Sequence, residues 1–215
     1  CVNVGCIPKK LFVYAAHYAD DFADARGFGW STSAERRFDW KHLLSAKNDE
    51  ITRLNGVYAR ILDGADVARI DGRATLEDAN TVSVAGKRYT ARYILIAVGG
   101  KPFVPDVPGI EHAITSNEAF FLDKLPERVV VVGGGYIAVE FAGIFNGLGS
   151  RVTQLYRGPQ FLRGFDDDVR VFLVGEMRKK GVDLQFNANI ARIERNGDVL
   201  LAKLEDGGEI ETDLI

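Results

Sequence analysis

The sequence of 215 residues contains only two cysteines, one methionine and three histidines. Two cysteines are too few for the disulfide framework of a small secreted domain. The formal net charge is −3, so the chain lacks the excess of positive charge that favours nucleic acid or an acidic membrane surface. No apolar run approaches the roughly 20 residues that cross a bilayer, and no signal peptide is visible. These absences favour a cytoplasmic globular protein of one or two domains, and no metal site is predicted.

Both cysteines lie in the opening segment Cys1–Lys10, CVNVGCIPKK. A disulfide that closes so short a ring stabilises weakly and is suited to being broken and remade. Residues five apart on a straight helix point about 140° apart, so we predict a loop or irregular turn, with Pro8 at the first helical position. Lys9 and Lys10 oppose the dipole of the following helix, which favours a nearby thiolate or anion. A pair of inert cysteines beside a solvated basic turn is the alternative.

The first half of the chain changes from helical to alternating periodicity. We predict two helices, then a set of short strands, a linker rich in proline and a short helix. The strand set ends in an apolar strand before Gly99 and Gly100, which let backbone approach a ligand. The predicted ranges are helices at Leu11–Asp24, Phe38–Leu62 (with Asp39 as N-cap) and Ser116–Leu122, a loop at Ser31–Arg37, strands within Val67–Ala97 and the apolar strand Arg92–Val98.

The second half contains a dinucleotide-binding pattern. A buried strand at Arg128–Val132 is followed by Gly133-x-Gly135-x-x-Ala138, a helix, and a second strand at Val152–Tyr156. In this order of strand, helix and strand, the glycine motif is a strong signal for a pyrophosphate at a helix N-terminus. A further helix after Asp166 and hairpin turns at Asn196–Gly197 and Asp206–Gly208 predict antiparallel strands attached to this domain.

The end of the second strand predicts which cofactor binds. Sites for NAD place Asp or Glu there to contact the ribose hydroxyls, but this chain has Arg157, with Arg163 six residues later. Two guanidinium groups suit the 2′-phosphate of NADPH. Gly158 and Pro159 offer no further basic residue. The alternative is that both arginines are solvated surface residues.

The segment CVNVGCIPKK resembles the redox-active motif of the class I pyridine nucleotide–disulfide oxidoreductases, and most closely that of the glutathione reductases. Thioredoxin and trypanothione reductases carry nearly the same ten residues. The stretches Ile114–Phe120 and Gly135–Gly149 resemble bacterial or plant glutathione reductases. The resemblance implies an α/β fold with a Rossmann-like FAD/NAD(P)-binding two-domain architecture and antiparallel meanders. It places a partial FAD domain at 1–119, including a linker at about 101–119, and an NADPH domain at 120–215.

The resemblance also implies roles for individual residues. It places Cys6 against the flavin and makes Cys1 the thiol that attacks the substrate. Tyr136 matches a tyrosine that covers the flavin, and Glu140 matches a glutamate that pairs with a lysine, for which Lys9 fits.

Further residues are implied at the flavin and substrate. Gly99 and Gly100 match residues that touch FAD, although Val98 replaces the usual threonine. Tyr58 matches a tyrosine that contacts the substrate, with packing in the helix core as the alternative.

The activity implied by the resemblance is NADPH-dependent reduction of glutathione disulfide through FAD and a Cys1–Cys6 disulfide, in a homodimer. The activating histidine comes from the other subunit in that family, and none of His17, His42 and His112 lies in a matching motif. The chain resembles an internal fragment of about half such a protein, which we expect to be inactive alone. The alternatives are a thioredoxin or trypanothione reductase, or a non-catalytic NADPH-binding module with structural cysteines.

Overall fold

The computed structural model describes residues 1–31 and 37–215. The chain divides into two compact units, a first unit of residues 1–51 and 103–215 and a second unit of residues 52–102. No described helix is both long and apolar enough to cross a membrane. The predicted boundary between residues 119 and 120 separates an FAD-binding part from an NADPH-binding part. A division into compact units does not test which cofactor each part binds, so this boundary stays a prediction.

The described elements comprise five α-helices and nine strands. The helices are α1 (Cys6–Asp24), α2 (Trp40–Gly64), α3 (Ser116–Ala119), α4 (Tyr136–Gly147) and α5 (Asp167–Lys179). The strands are β1 (Ala74–Leu76), β2 (Thr81–Val84), β3 (Lys87–Thr90), β4 (Arg128–Val132), β5 (Arg151–Tyr156), β6 (Asp183–Phe186), β7 (Ile190–Asn196), β8 (Val199–Leu204) and β9 (Glu209–Thr212).

A parallel sheet of order β4-β5-β6 forms the centre of the first unit. The helices α4 and α5 connect its strands in sequence, which confirms the predicted strand–helix–strand order and adds a third parallel strand, β6, that was not predicted. The strand β4 has the predicted bounds, and β5 begins one residue before the predicted Val152. Val129 and Val152 are buried in one core cluster with Phe141 of α4, and Val130 and Leu155 are buried in a second cluster, so burial on both faces explains the apolar β-branched run.

A series of aromatic contacts joins the helices of the first unit. The ring of Phe12 in α1 lies 5.3 Å from that of Trp40 and 5.7 Å from that of Phe120. Phe120 lies 5.3 Å from Phe141 in an edge-to-face arrangement. Such pairs contribute about 0.5–1.5 kcal/mol each beyond the burial of their area. They hold α1 against α4, which positions the candidate site.

Lys47 is a buried cation in the first-unit part of α2, with only 2% of its surface exposed. Its Nζ donates to the Phe120 carbonyl at 2.9 Å and lies 4.3 Å from the centre of the Phe121 ring. Burial lowers the pKa of Lys47 below its ordinary value, because desolvation disfavours the charged form. The residue fixes α2 to the end of α3.

An antiparallel sheet of order β7-β8-β9 follows the parallel sheet, and its hairpin loops at 197–198 and 205–208 overlap the predicted turns, the first of them one residue later than predicted. Beyond β9, Leu214 pairs in parallel with Val129 of β4. Asp213 accepts from the Arg128 backbone N–H at 2.9 Å and from its Nη2 at 2.6 Å. The hydrogen bonds from Arg128 lower the pKa of Asp213 below its ordinary value. This pair attaches the end of the chain to the parallel sheet.

The second unit contains the antiparallel sheet β1-β2-β3. Its β2–β3 turn is formed by Ala85 and Gly86, both at positive φ, as two-residue hairpins favour. The predicted strand Arg92–Val98 is wrong: these residues form no strand, and Leu95 and Val98 are 89% and 88% exposed. An apolar strand of this kind needs neighbours to pair with, and no described strand pairs with this segment.

The helix α1 begins earlier than predicted, whereas the predicted N-cap of α2 is confirmed. The helix α1 begins at Cys6, not at Leu11, so Pro8 is its third residue and not its first; the first turn tolerates proline because its N–H groups have no intrahelical partner. Asp39 caps α2, since its Oδ1 accepts from the N–H of His42 at 3.0 Å.

The remaining predicted bounds differ by a few residues. The helix α2 spans Trp40–Gly64 and not Phe38–Leu62, and α3 ends at Ala119 and not at Leu122. Most of the predicted loop at Ser31–Arg37 lies outside the described residues.

Candidate active site

The two cysteines form a disulfide at the start of α1. Cys6 is the first helical residue, and Cys1 lies in the preceding turn, where its carbonyl accepts from the Ile7 N–H at 3.1 Å. A methyl group on Gly5 would lie 2.9 Å from the Cα of Cys1, so only glycine allows the turn to close this tightly. Both cysteines are exposed. The predicted position on an irregular first turn is confirmed, and the bond is open to exchange with an external thiol.

The helices α1 and α4 run parallel in a fixed register. Lys9 Nζ of α1 lies 2.6 Å from Glu140 Oε1 of α4. Seven residues further along both helices, a methyl group on Gly147 would lie 2.8 Å from the Cβ of Ala16. Equal steps in the same direction require parallel axes. At 1.5 Å per residue, each helix begins about one turn before the ion pair, so the disulfide and the N-terminus of α4 lie at the same end of the helix pair.

The ion pair of Lys9 and Glu140 was predicted from the family resemblance, and the contact is present. The side chains are 21% and 34% exposed, so both charges are partly removed from water. A cation in the first turn of α1 opposes the helix dipole, and Glu140 compensates that charge. Burial of either group without the other would leave an unpaired charge. Whether this pair acts on a flavin stays a prediction.

The glycine loop between β4 and α4 has the geometry of a phosphate site. Gly133 has a φ of 145°, and a methyl group there would lie 3.2 Å from the Cβ of Ala138, which explains the need for small residues at both positions. Gly135 is the N-cap of α4 and has no side chain to bond the free N–H groups of the first turn. Those donors and the helix dipole suit an anion, so the loop fits the pyrophosphate of a dinucleotide.

Gln154 of β5 is hydrogen-bonded to the glycine loop. Its Nε2 donates to the Gly133 carbonyl at 2.9 Å, and only 1% of the residue is exposed. The loop is therefore held by a side chain as well as by the backbone bond from Gly133 N–H to the Leu155 carbonyl, 2.9 Å. The alternation of β5 could have indicated this residue, because Gln154 lies on the same face as the buried Val152, and a buried glutamine needs a partner.

Tyr136 occupies the first turn of α4 and is 59% exposed. Val132 and Ile137 beside it are 44% and 45% exposed, so an open apolar surface adjoins the glycine loop. A flat aromatic ligand suits such a surface. The predicted role of Tyr136 over a flavin is compatible with this exposure and stays a prediction.

Arg157 and Arg163 are both exposed at the ends of a loop after β5. Neither guanidinium group hydrogen-bonds or pairs with any residue in the described part of the chain. The loop folds back to the glycine loop, because the N–H of Leu162 donates to the Gly134 carbonyl at 2.6 Å. Two unpaired cations beside a helix N-terminus fit a doubly charged phosphate. Their predicted contact with the 2′-phosphate stays a prediction.

The remaining predicted residues lie in the second unit. Gly99 has a φ of 75° and nothing within 4 Å of the space that a side chain would take, and Gly100 is likewise open, so both fit close approach by a cofactor. Tyr58 of α2 is 46% exposed, which does not support the alternative that it is core packing. Contacts of these residues with FAD and substrate stay predictions.

Comparisons with known proteins agree with one another along the chain. The family model described as pyridine nucleotide-disulphide oxidoreductase matches residues 1–215. A glutathione reductase of Burkholderia cepacia is 46% identical over 215 residues, covering 100% of this chain and 48% of that protein. A trypanothione reductase of Trypanosoma congolense is 40% identical over 230 aligned positions, covering 100% of this chain and 47% of that protein.

Solved structures of a flavoprotein disulfide reductase are also similar to this chain. The structure of the HOCl-induced flavoprotein disulfide reductase RclA from Escherichia coli superposes with a TM-score of 0.84 at 28% identity, over 100% of this chain and 46% of that one. The chain therefore spans about half the length of the relatives that it matches.

Proposed function

Because the chain belongs to the pyridine nucleotide-disulphide oxidoreductase family, we propose that the full-length protein uses NADPH to reduce glutathione disulfide through FAD and the Cys1–Cys6 disulfide. The observation that carries the proposal is the parallel register of α1 and α4. It brings the disulfide and the glycine loop to one end of the same helix pair. A relay from a nucleotide to a disulfide needs these two parts on one side of the protein.

When bound, NADPH and FAD supply the electron pair that the disulfide accepts. The residues of this chain hold and orient them. The first-turn N–H groups of α4 bind the pyrophosphate, with Gly133, Gly135 and Ala138 keeping the approach clear. Arg157 and Arg163 bind the 2′-phosphate. Gly99 and Gly100 leave room for the flavin.

The thiol chemistry follows from the positions of Cys1 and Cys6. Two electrons and two protons convert the Cys1–Cys6 disulfide to two thiols, of which Cys1 attacks one sulfur of glutathione disulfide as the thiolate. One glutathione leaves with a proton, and a mixed disulfide remains on Cys1. Cys6 then attacks the Cys1 sulfur, which re-forms the Cys1–Cys6 bond and releases the second glutathione with a second proton. The protein returns to its starting state.

Other side chains of the site have supporting roles in this proposal. Lys9, oriented by Glu140, follows Cys6 by three residues on α1 and so lies on the same face of the helix, and a nearby cation favours a thiolate. Tyr136 covers the flavin until the nicotinamide enters. Tyr58 contacts the glutathione substrate from α2.

The proposal includes the organisation of the full-length protein. It acts as a homodimer, because in the family that the chain resembles the histidine that activates the thiol comes from the other subunit. Its proposed location is the cytoplasm. Residues 1–119 belong to its FAD domain and residues 120–215 to its NADPH domain. Neither nucleic acid nor a membrane is a partner.

Substitution of each cysteine in the full-length protein tests the proposed relay. Cys6→Ser should abolish the long-wavelength thiolate–flavin absorbance that NADPH produces in the reduced enzyme. Cys1→Ser should keep that absorbance but stop turnover of glutathione disulfide. The measurements are anaerobic titration with NADPH and steady-state turnover. If the two variants had the same spectrum, the assignment of the thiols would be wrong.

A second candidate function is reduction of trypanothione disulfide. The 40% identity to a trypanothione reductase favours it, because the residues around the disulfide do not separate the two substrates. Comparison of kcat/KM for the two disulfides with the full-length protein decides between them. If neither disulfide were reduced while NADPH still bound, a thioredoxin reductase or a non-catalytic nucleotide-binding module would remain, and an assay with oxidised thioredoxin separates these two.

A further inference from the structure

Arg157 and Arg163 each follow directly after a residue that contacts Gly134. Arg157 follows Tyr156, whose ring lies against Gly134. Arg163 follows Leu162, whose N–H donates to the Gly134 carbonyl at 2.6 Å. Gly134 is the middle residue of the glycine loop, so both ends of the arginine loop (residues 157–163) are attached to the phosphate site through one residue.

The ring of Tyr156 fills the space between two glycines. A methyl group on Gly134 would lie 2.5 Å from its Cδ2, and one on Gly158 would lie 2.7 Å from its Cε1. Neither glycine has a positive φ, so the backbone alone would accept other residues at both positions. Contacts below 3.0 Å do not occur for real Cβ atoms. The ring of Tyr156 is therefore the reason that positions 134 and 158 must be glycine.

The far end of the arginine loop is held just as firmly. Phe161 and Leu162 are 0% and 7% exposed, and Arg170 of α5 donates through Nε to the Phe161 carbonyl at 2.8 Å. Leu162 adopts a φ of 56°, a left-handed conformation that is unfavourable for a residue other than glycine. Its buried side chain and its hydrogen bond to Gly134 offset that cost. Arg157 and Arg163 thus extend into solvent from a rigid support.

We propose that Tyr156 is a positioning residue that gives the protein its preference for NADPH over NADH. Its ring fixes Gly134 and Gly158 and so holds Arg157 beside the glycine loop, opposite Arg163. Without the ring, the loop separates from Gly134 and the two guanidinium groups no longer converge on one phosphate. The inference rests on the proposed function, because it assumes that the α4 site binds a pyridine nucleotide.

The test measures binding of NADP⁺ and NAD⁺ to the full-length enzyme by calorimetry, since these ligands differ only in the 2′-phosphate. Tyr156→Leu should weaken NADP⁺ about tenfold, as expected when one charge-assisted contact is lost, while NAD⁺ changes less than about twofold. Tyr156→Phe retains the ring and should keep the preference. The ratio of kcat/KM for NADPH and NADH should follow the binding data.

Gly158→Ala alone tests the inference if Tyr156→Leu does not fold, because its methyl group would displace the ring and should weaken NADP⁺ selectively. If Tyr156→Leu does fold, adding Gly158→Ala to it should have little further effect, because the clash is with the ring. Gly143→Ala is the matched control, since no atom lies within 4 Å of the space that its side chain would take.

The outcomes separate this inference from the proposed function. Equal weakening of NADP⁺ and NAD⁺ by Tyr156→Leu, or strictly additive effects of the two substitutions, would overturn the role of Tyr156 and leave the proposed reaction in place. A wild-type enzyme that bound NAD⁺ as tightly as NADP⁺ would overturn both this inference and the choice of NADPH.

Discussion

Lys9 and Glu140 form the polar contact that fixes α1 against α4 next to the disulfide. Replacing one partner, as in Lys9→Met or Glu140→Gln, leaves the other charge partly buried and unpaired, so each single change should lower the thermal stability of the full-length protein. The double substitution should cost less than the sum of the two, with a coupling of about 1–2 kcal/mol. Thermal unfolding of the four proteins in the cycle measures this coupling.

A second ion pair on α1 provides the control for this cycle. Asp20 and Lys180 lie 2.7 Å apart but are 56% and 59% exposed. Exposed pairs are screened by water and contribute little, so the corresponding cycle should give a coupling near zero. Similar coupling energies for the two pairs would mean that partial burial does not make the Lys9–Glu140 pair stronger than the exposed Asp20–Lys180 pair.

At the level of residues, the sequence indicated those that carry charge or sulfur. Cys1 and Cys6 form the predicted disulfide, and Lys9 and Glu140 form the ion pair that the family resemblance implied. The predicted roles of Arg157 and Arg163 stay predictions. Tyr156 and Gln154 were missed, because alternation places both on one face of β5 but does not show that the glycine loop lies against that face. The sequence did contain a signal for Tyr156: Gly134 and Gly158 are glycines at positions where neither the glycine motif nor a turn requires one.

Gly147 controls how closely α1 and α4 approach. A methyl group there would meet the Cβ of Ala16 at 2.8 Å and its carbonyl oxygen at 3.3 Å, so Gly147→Ala should push the helices apart and destabilise the protein by about 1–3 kcal/mol. Gly143→Ala in the same helix adds a methyl group in open space and should stabilise by up to about 1 kcal/mol through helix propensity. Denaturant unfolding of the full-length protein compares them. A loss of stability in both variants would contradict the role given to Gly147.

At the level of elements, local signals were sufficient where an element is defined by its own sequence. The strands β4 and β5 and the helix between them have clear apolar periodicity, glycines and ends. The prediction of a strand at Arg92–Val98 was wrong because a strand does not depend on its own sequence alone. An apolar run becomes a strand only when another strand lies beside it. The start of α1 was misplaced since the cysteine turn merges with the helix without a capping side chain.

Four large apolar side chains in the second unit have consequences for the molecule as a whole. Tyr93, Leu95, Ile96 and Val98 are between 64% and 89% exposed, and contiguous apolar surface of this kind is typical of a face that another segment covers. A polypeptide of these 215 residues alone should therefore bind a hydrophobic dye more strongly than the full-length protein, retain little FAD and have no reductase activity. Recovery of the fragment with stoichiometric flavin and turnover would contradict this prediction.

The intervals from Lys9 to Ala16 and from Glu140 to Gly147 restrict where evolution can change the length of the chain. Deleting one residue inside either interval would rotate the rest of that helix by about 100° and shift it by about 1.5 Å. The ion pair and the close contact could then not be kept together. Insertions and deletions among natural relatives should accordingly accumulate in turns such as Asn196–Gly197, while both seven-residue intervals remain free of gaps.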